Sequence, residues 1–304
     1  MKKYIVLTTI NEPTEATIKF SQMDGWKLIV VGDTKTPHES YKNIDCIYLS
    51  PEYQQNKYKD ISDYIGWKSI QRRNIGFIEA WNLGADVIAT VDDDNIPYDS
   101  WGKDVVVGKQ SEFLTYDTDN VVFDPLSATE NNNLWHRGFP IELINVKNNI
   151  TKTSNKSFVP LVQANLWDGD PDIDAIYRIP YKPDVKFLLK NFYCSTKISP
   201  FNSQNTLIHR EALPYYAVIP NIGRMDDIWG AYFMQHKFPN SVVFGESTVF
   251  QDRNQQDLIK NLKDEVIGYY FTLKLINHLF YDGPTEEVFE KCKEFLNLYK
   301  SYFK

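Results

Sequence analysis

The chain has little cysteine, no surplus of positive charge and no long apolar run, and each shortage excludes something. Its three cysteines, Cys46, Cys194 and Cys292, are odd in number and widely separated in 304 residues. That excludes a fully paired disulfide framework and a zinc knuckle, and it suits a reducing, cytoplasmic setting. The formal charge of −7 leaves no clustered Lys and Arg for general binding to nucleic-acid phosphate. No apolar run is long enough to span a bilayer. The opening MKKYIVLTTINEP is basic and then apolar, like a signal peptide. Its apolar stretch stops after seven residues without a small-residue cleavage site, so it reads as a first strand. What the chain does have is core material: 42% hydrophobic and 14% aromatic residues. That is enough for one large α/β domain or two small ones, and too much for a disordered chain.

The first hundred residues alternate strand and helix signals. Tyr4–Ile10 and Lys27–Asp33 are short β-branched runs that end in polar residues, and Asp45–Leu49 is a weaker third. Between Ser69 and Leu83, Ile70, Phe77, Ile78 and Trp81 recur at helical spacing, with Gly84 placed to end the helix. Ala85–Val91 follows as a buried strand. This alternation predicts a parallel sheet with helices on its faces, and ligands in such sheets bind outside the carboxyl ends of the strands. Residues 100 to 225 read as irregular, rich in Asn, Asp, Pro and Tyr. A helix is expected over Asp226–Phe238, then a strand at SVVFG. The tail from Gln255 to Lys304 reads as two amphipathic helices broken at YDGPTEE.

The segment GADVIATVDDDNIPYDSW runs a buried strand into Asp92, Asp93 and Asp94. Three adjacent carboxylates repel one another, so either solvent or a bound cation must offset them. A strand ending in D-x-D offers hard oxygen ligands to a divalent ion, which can hold a diphosphate and stabilise it as a leaving group. The plainer alternative is an acidic turn capping a helix. Asp33, at the end of the second strand, could accept a hydrogen bond from a base or ribose, or serve only in a turn. Arg72 and Arg73 could face solvent or meet a diphosphate. In GRMDDIWGAYF, Asp226 suits an N-cap and Asp227 the first helical turn, and one of them could be a general base toward an acceptor hydroxyl. His136 and His209 are further potential ligands, though lone histidines are more often structural.

Together these pieces resemble the reversibly glycosylated polypeptides, a family that includes the UDP-arabinopyranose mutases and is built on the GT-A glycosyltransferase fold. The likeness runs in order from about Tyr4 to Gly268. TVDDDN matches the family's aspartate triplet, and WHRGFP (Trp135–Pro140) its R-G-[YF]-P. NLWDGDPDIDA (Asn165–Ala175) matches G-L-W-x-x-x-P-D-x-D-A, and GRMDDIW (Gly223–Trp229) matches G-R-Y-D-D-M-W. The chain departs from the family where Asn95 replaces a cysteine after the triplet. It departs again where NSQN (Asn202–Asn205) keeps only the last residue of C-G-M-N, and where FQDR (Phe250–Arg253) has Gln251 in place of a histidine, with Asp252 beside it.

The resemblance implies an α/β, GT-A-like (Rossmann-like) mixed sheet flanked by helices over residues 1–254, with a helical C-terminal extension over 255–304. It implies a Mn²⁺- or Mg²⁺-type ion on Asp92, Asp94 and Asp252. A nucleotide sugar, UDP-linked, would lie against Thr9, Asn11, Asp33, Arg73, Asp93, Trp167, Asp172, Asp174, Asn205 and Arg253. Asp227, Asp226 and Arg137 would be catalytic, Arg137 standing at the position the family glycosylates. Arg137 could instead clamp phosphate or sugar. The implied activity is transfer of the sugar to a glycan or other hydroxyl acceptor. The alternatives are a pyranose–furanose mutase using the same site, and a non-catalytic nucleotide-sugar-binding subunit. A homo-oligomer is left open.

Overall fold

A computed structural model describes residues 1–253 and 256–304 of the chain. The expected boundary between a catalytic domain ending at 254 and an extension starting at 255 lies outside the described residues. The first strands are β1 (Lys3–Thr9), β2 (Lys27–Gly32), β3 (Ile47–Leu49), β4 (Val87–Val91) and β5 (Asn95–Pro97). Next come β6 (Ser111–Thr118), β7 (Ile150–Phe158), β8 (Val162–Asn165) and β9 (Asp168–Gly169). The last are β10 (Tyr193–Ser195), β11 (Asn205–His209), β12 (Val242–Gly245) and β13 (Val249–Gln251). The helices are α1 (Glu15–Ser21), α2 (Pro51–Lys57), α3 (Lys59–Ile65), α4 (Arg73–Asn82) and α5 (Ala175–Arg178), then α6 (Asp226–Lys237), α7 (Leu258–Phe280) and α8 (Glu287–Lys300).

Ten strands form one mixed sheet in the order β3-β2-β1-β4-β11-β8-β12-β10-β6-β7, and β5-β13-β9 form a small second sheet. β3, β2, β1 and β4 pair in parallel, while β11 runs antiparallel to β4, with Asn205 opposite Val91. β8 also opposes β11, and β12 runs parallel to β8. The carboxyl ends of β1, β2, β4, β8 and β12 therefore lie along one edge of the sheet, together with the start of β11. With helices on its faces this is the GT-A-like α/β architecture expected from the sequence.

Local sequence explains the elements that build that edge. All five residues of β4 are buried, so both faces are covered and the strand reads as a continuous apolar run. α4 lies close on β1 and β2 because Gly76 has no side chain. A Cβ there would stand 2.5 Å from Val6 Cγ1 and 2.7 Å from Val31 Cγ2. Gly84 follows at φ +79, the left-handed stop that glycine tolerates.

The helix predicted from Ser69 begins as a 3₁₀ turn over Ile70–Arg72 and becomes α-helical only at Arg73. Arg72 stacks on Trp67 and donates to Gln54 Oε1, Gly66 O and Ser62 Oγ, which ties the turn inward. The middle stretch, read as irregular, contains the antiparallel pair β6–β7. β7, ITKTSNKSF, is a sheet-edge strand with no fully buried residue, so it carries no apolar alternation to announce it. In the tail, Phe289, Cys292, Phe295 and Tyr299 form the buried stripe of α8, at the spacing of one helical face.

Candidate active site

The edge of the sheet opens into a cavity of about 560 Å³, walled by the aspartate triplet, the 68–73 segment, Arg137, Asp172, the 202–204 segment, the start of α6 and Arg253. β4 delivers the triplet there, and each aspartate meets a different environment. Asp92 is ion-paired with Arg73. Asp93 accepts from Thr9 Oγ1 and Asn11 Nδ2, so it fixes the end of β1. Among the described residues, the Asp94 carboxylate accepts only from Gln251 Nε2, at 3.3 and 3.5 Å. Burial, then repulsion from Asp92, push its carboxyl up to about 7. Gln251 Oε1 is buried without a hydrogen bond. Asp92, Asp94 and that orphaned amide oxygen are all hard oxygen donors of the kind Mg²⁺ or Mn²⁺ takes. Asp252 is exposed and outside the cavity wall. Among the described residues, no group of three His, Cys, Asp or Glu is gathered to hold a metal.

The arginine pair is buried rather than solvated, at 0% and 1% exposure for Arg72 and Arg73. Arg73 reaches the cavity wall, but its guanidinium is engaged by Asp92, by Ser203 O and Oγ at 2.7 Å each, and by Val91 O at 3.2 Å. Arg253 differs. Among the described residues, its ion-pair partners are Asp170 at 3.7 Å and Asp172 at 3.9 Å, and its Nε has no hydrogen bond. Desolvation lowers its pKa despite Asp172 beside it. A guanidinium so buried and so loosely paired is a ready partner for an anion.

Asp226 and Asp227 open α6, and the cap position falls on Met225, whose side chain makes no capping bond. The expected N-cap at Asp226 is thus displaced by one residue, because the preceding 3₁₀ turn Gly223–Met225 already delivers the chain in helical register. The two carboxylates are not equivalent. Asp227 accepts from Ser203 N at 2.8 Å, Ser203 Oγ at 3.0 Å and Arg137 Nη2 at 3.2 Å. Asp226 accepts from Gln71 Nε2 at 2.7 Å and from the Asp227 N–H at 3.0 Å. Burial and the neighbouring Asp227 push its carboxyl up to about 7.

Arg137 is buried in a cage. Nε lies 2.9 and 3.1 Å from the Asp172 oxygens, Nη2 donates to Asp172 at 2.8 Å, and Nη1 donates to the Arg224 carbonyl. Asp172 and Asp227 hold this guanidinium charged against the desolvation, well above its ordinary range. Asp172 in turn accepts from Asn202 at 2.8 Å and has Arg224 at 3.6 Å. Arg137, Arg253 and Arg224 hold its carboxyl well below the usual range against burial.

Beside the main cavity an annex of about 230 Å³ is walled by Thr8–Asn11, Asp33, Lys68–Ile70 and Asp93. Asp33 accepts from the Lys68 and Ser69 amides at 2.7 and 3.2 Å and so shapes this wall. Four other expected positions fall elsewhere. Trp167 packs edge-on to His136, buried away from the cavity. Asp174 accepts from Trp135 Nε1 and Gly138 N behind the Arg137 loop. Burial and Glu265 push its carboxyl well up. Asn205 is buried and consumed by Leu166 O, Thr248 and Trp101. His209 sits opposite Val87, at the far end of β4 from the triplet.

The sequence reading missed Gln71, Ser203, Arg224 and Glu265. Arg224 lay inside a motif already singled out, and Ser203 inside NSQN. Glu265 gave no signal: it is one acidic residue on an amphipathic helix, yet it is fully buried and accepts from Arg224 Nε at 2.8 Å and the Ala175 amide at 2.8 Å.

No family model matches the chain. It is similar to two Arabidopsis thaliana proteins, Probable glycosyltransferase STELLO2 and Probable glycosyltransferase STELLO1. Each is 29% identical to it, over 233 and 234 residues respectively. The likeness is to glycosyltransferases by name. It covers 69% of this chain but only 30% of each relative, so the chain spans about 30% of the length of the curated relatives it matches. Nothing in it bears on the narrower mutase resemblance. Among the described residues no helix is long and apolar enough to cross a membrane.

Proposed function

We propose that the cavity is the active site of a metal-dependent glycosyltransferase whose donor is a nucleotide sugar, UDP-linked. The observation that carries this is the meeting of three features around one cavity at the carboxyl edge of the sheet: the aspartate triplet, the loosely paired Arg253, and Asp226. The likeness to two proteins named as probable glycosyltransferases supports the same class.

In this reading the nucleoside occupies the annex formed by β1, Asp33 and the Lys68–Ile70 segment. Arg253 meets the diphosphate, while Arg73 holds Asp92 in place. Asp92, Asp94 and Gln251 would hold a divalent ion, which supplies positive charge to the departing diphosphate. Asp226 is the acid–base group, because a general base works best with a pKa near the operating pH. Its carboxylate takes the proton of the acceptor hydroxyl. The acceptor oxygen bonds to the anomeric carbon, and the anomeric carbon–oxygen bond breaks with its electron pair leaving on the nucleoside diphosphate. Arg137 is not the acceptor in this reading. A guanidinium held charged by Asp172 and Asp227 has no lone pair to offer, so it acts as the strut that positions both carboxylates.

The test is turnover of UDP-, GDP- and dTDP-sugars across an acceptor panel, with chelator and then with Mn²⁺ or Mg²⁺ restored. UDP-sugar turnover is expected to vanish with chelator and to return with metal, and Asp94→Ala is expected to remain inactive when metal is added back. Full turnover in chelator removes the metal from this scheme. No turnover of any donor under any condition overturns the function.

Gln71 gives a second expected outcome. A base must be ionised, so the rate should rise with pH through about 7 and level off above it. The Gln71 amide donates to the Asp226 carboxylate and so favours its charged form. Gln71→Leu should therefore move the rising limb to higher pH, with a plateau close to the parent's. An unmoved limb shows that Asp226 does not set the profile. Stability has the opposite trend. The raised carboxyl stabilises the fold fully below the ordinary Asp value of about 3.9, and that contribution is lost as pH climbs through about 7.

A further inference from the structure

Arg253 lines two hollows rather than one. Its Nη2 end leans on Asp172 in the main cavity, and its Nε end leans on Asp170 in an adjoining pocket of about 280 Å³. Arg178, Tyr181 and Lys182 form the rest of the wall that matters here. The Arg253 side chain is only 9% exposed, yet among the described residues its Nε lacks a hydrogen bond, and so does Asp170 Oδ1. Arg178 Nη1 is ion-paired with that oxygen at 2.5 Å without hydrogen-bond alignment.

An unsatisfied donor, Arg253 Nε, thus stands 3.7 Å from a carboxylate oxygen that is ion-paired with Arg178, in a pocket that shares Arg253 with the main cavity. Leaving buried polar groups unpaired is costly. A single hydroxyl can accept from Arg253 Nε and donate to the remaining acceptor capacity of the Asp170 carboxylate. Tyr181 makes part of the wall aromatic. Tyr181 is 59% exposed and packs on Tyr177 at 5.0 Å between ring centroids. A pocket with one apolar face and a few convergent polar groups suits a sugar ring, whose C–H face and hydroxyls lie on different sides.

We infer that this adjoining pocket is the acceptor subsite, and that it takes a saccharide, with one hydroxyl between Arg253 and Asp170 and one ring face against Tyr181. The inference rests on the glycosyltransferase reading for its role, though not for its binding. The shared Arg253 places the saccharide next to the donor diphosphate, so that a neighbouring acceptor hydroxyl enters the main cavity.

The test uses the full chain and needs no turnover: saturation-transfer NMR with cello-, xylo- and mannotetraose, on the parent and on Tyr181→Ala. Tyr181 is exposed, so its removal leaves the core intact. The parent is expected to transfer saturation to at least one tetraose, and Tyr181→Ala to weaken that binding about tenfold, the size of one aromatic contact. UDP affinity should be unchanged. Asp170→Asn should weaken the saccharide likewise. Equal signals in parent and both variants, or no signal with any of the three sugars, overturn the subsite. Failure of the donor panel overturns the transferase reading independently.

Discussion

Asp226→Asn is expected to lower glycosyl transfer by about 10²–10⁴-fold, the range for removal of a general base, while UDP affinity and melting temperature stay near the parent's. The fold should tolerate the change because burial and the neighbouring Asp227 already push the Asp226 carboxyl up to about 7, so the site favours the neutral form more than an ordinary Asp position does. An Asn carbonyl can still accept from the Asp227 amide, and Gln71 can rotate its own amide to meet the new NH₂ group. Asp227→Asn should behave differently. Asp227 is tied to Ser203 and Arg137, and its charge is what raises Asp226 after burial itself. Removing that charge should lower the Asp226 pKa, moving the rising limb of the pH profile to lower pH rather than abolishing transfer. From sequence either aspartate could be the base, with the larger loss expected for Asp227→Asn. The bonds that hold Asp227 to Ser203 and Arg137 are why the proposal takes Asp226 instead. Transfer rate, UDP affinity and melting temperature on both variants decide it, and near-parental turnover in Asp226→Asn excludes it as the base.

Fold and site differ in how much of each was legible in the sequence. The alternation of β1, β2, α4 and β4 was readable because buried parallel strands are continuous apolar runs and because Phe77, Ile78 and Trp81 recur at helical spacing in α4, which is buried on nearly all sides. From the alternation came the sheet edge, and from the edge the location of the triplet. β7 was invisible because an edge strand facing water has no apolar period. Within the site, residue types were legible but their use was not. Arg73 and Arg253 look alike as cations, yet one is saturated by protein partners and the other is not. That difference depends on Ser203 and Val91, which sequence separates from Arg73 by 130 and 18 residues. Asp174, Trp167 and Asn205 sit in good motifs, but packing turns them away from the cavity. Glu265 reaches Arg224 only because α7 lies against the turn before α6. Gly223 permits that approach: a Cβ there would stand 2.0 Å from Asp264 O.

Asp172 poses the question of contact versus scaffold most sharply, and its variant should show a large loss of stability. It is the shared counter-ion of Arg137, Arg224 and Arg253, with two hydrogen-bonding oxygens on Arg137 alone. Asp172→Asn preserves shape but strips the charge and turns an NH₂ group toward a guanidinium. Breaking a buried ion pair from one side costs about 3–5 kcal/mol, because the remaining charge stays buried. A fall of that order in unfolding free energy, read from urea midpoints, is expected at pH 7. The native carboxylate's contribution is full above the ordinary Asp value of about 3.9 and fades as pH falls through its lower folded value. The gap between parent and variant should therefore narrow in acid. Removing both partners is informative. Asp172→Asn combined with Arg137→Met should be more stable than the two single losses added together, since no guanidinium is then stranded. If Asp172→Asn instead melts with the parent and only UDP-sugar affinity drops, Asp172 is the ligand contact that the family resemblance implies. The arginines around it would then be held by Asp227, Glu265 and Asp170 alone.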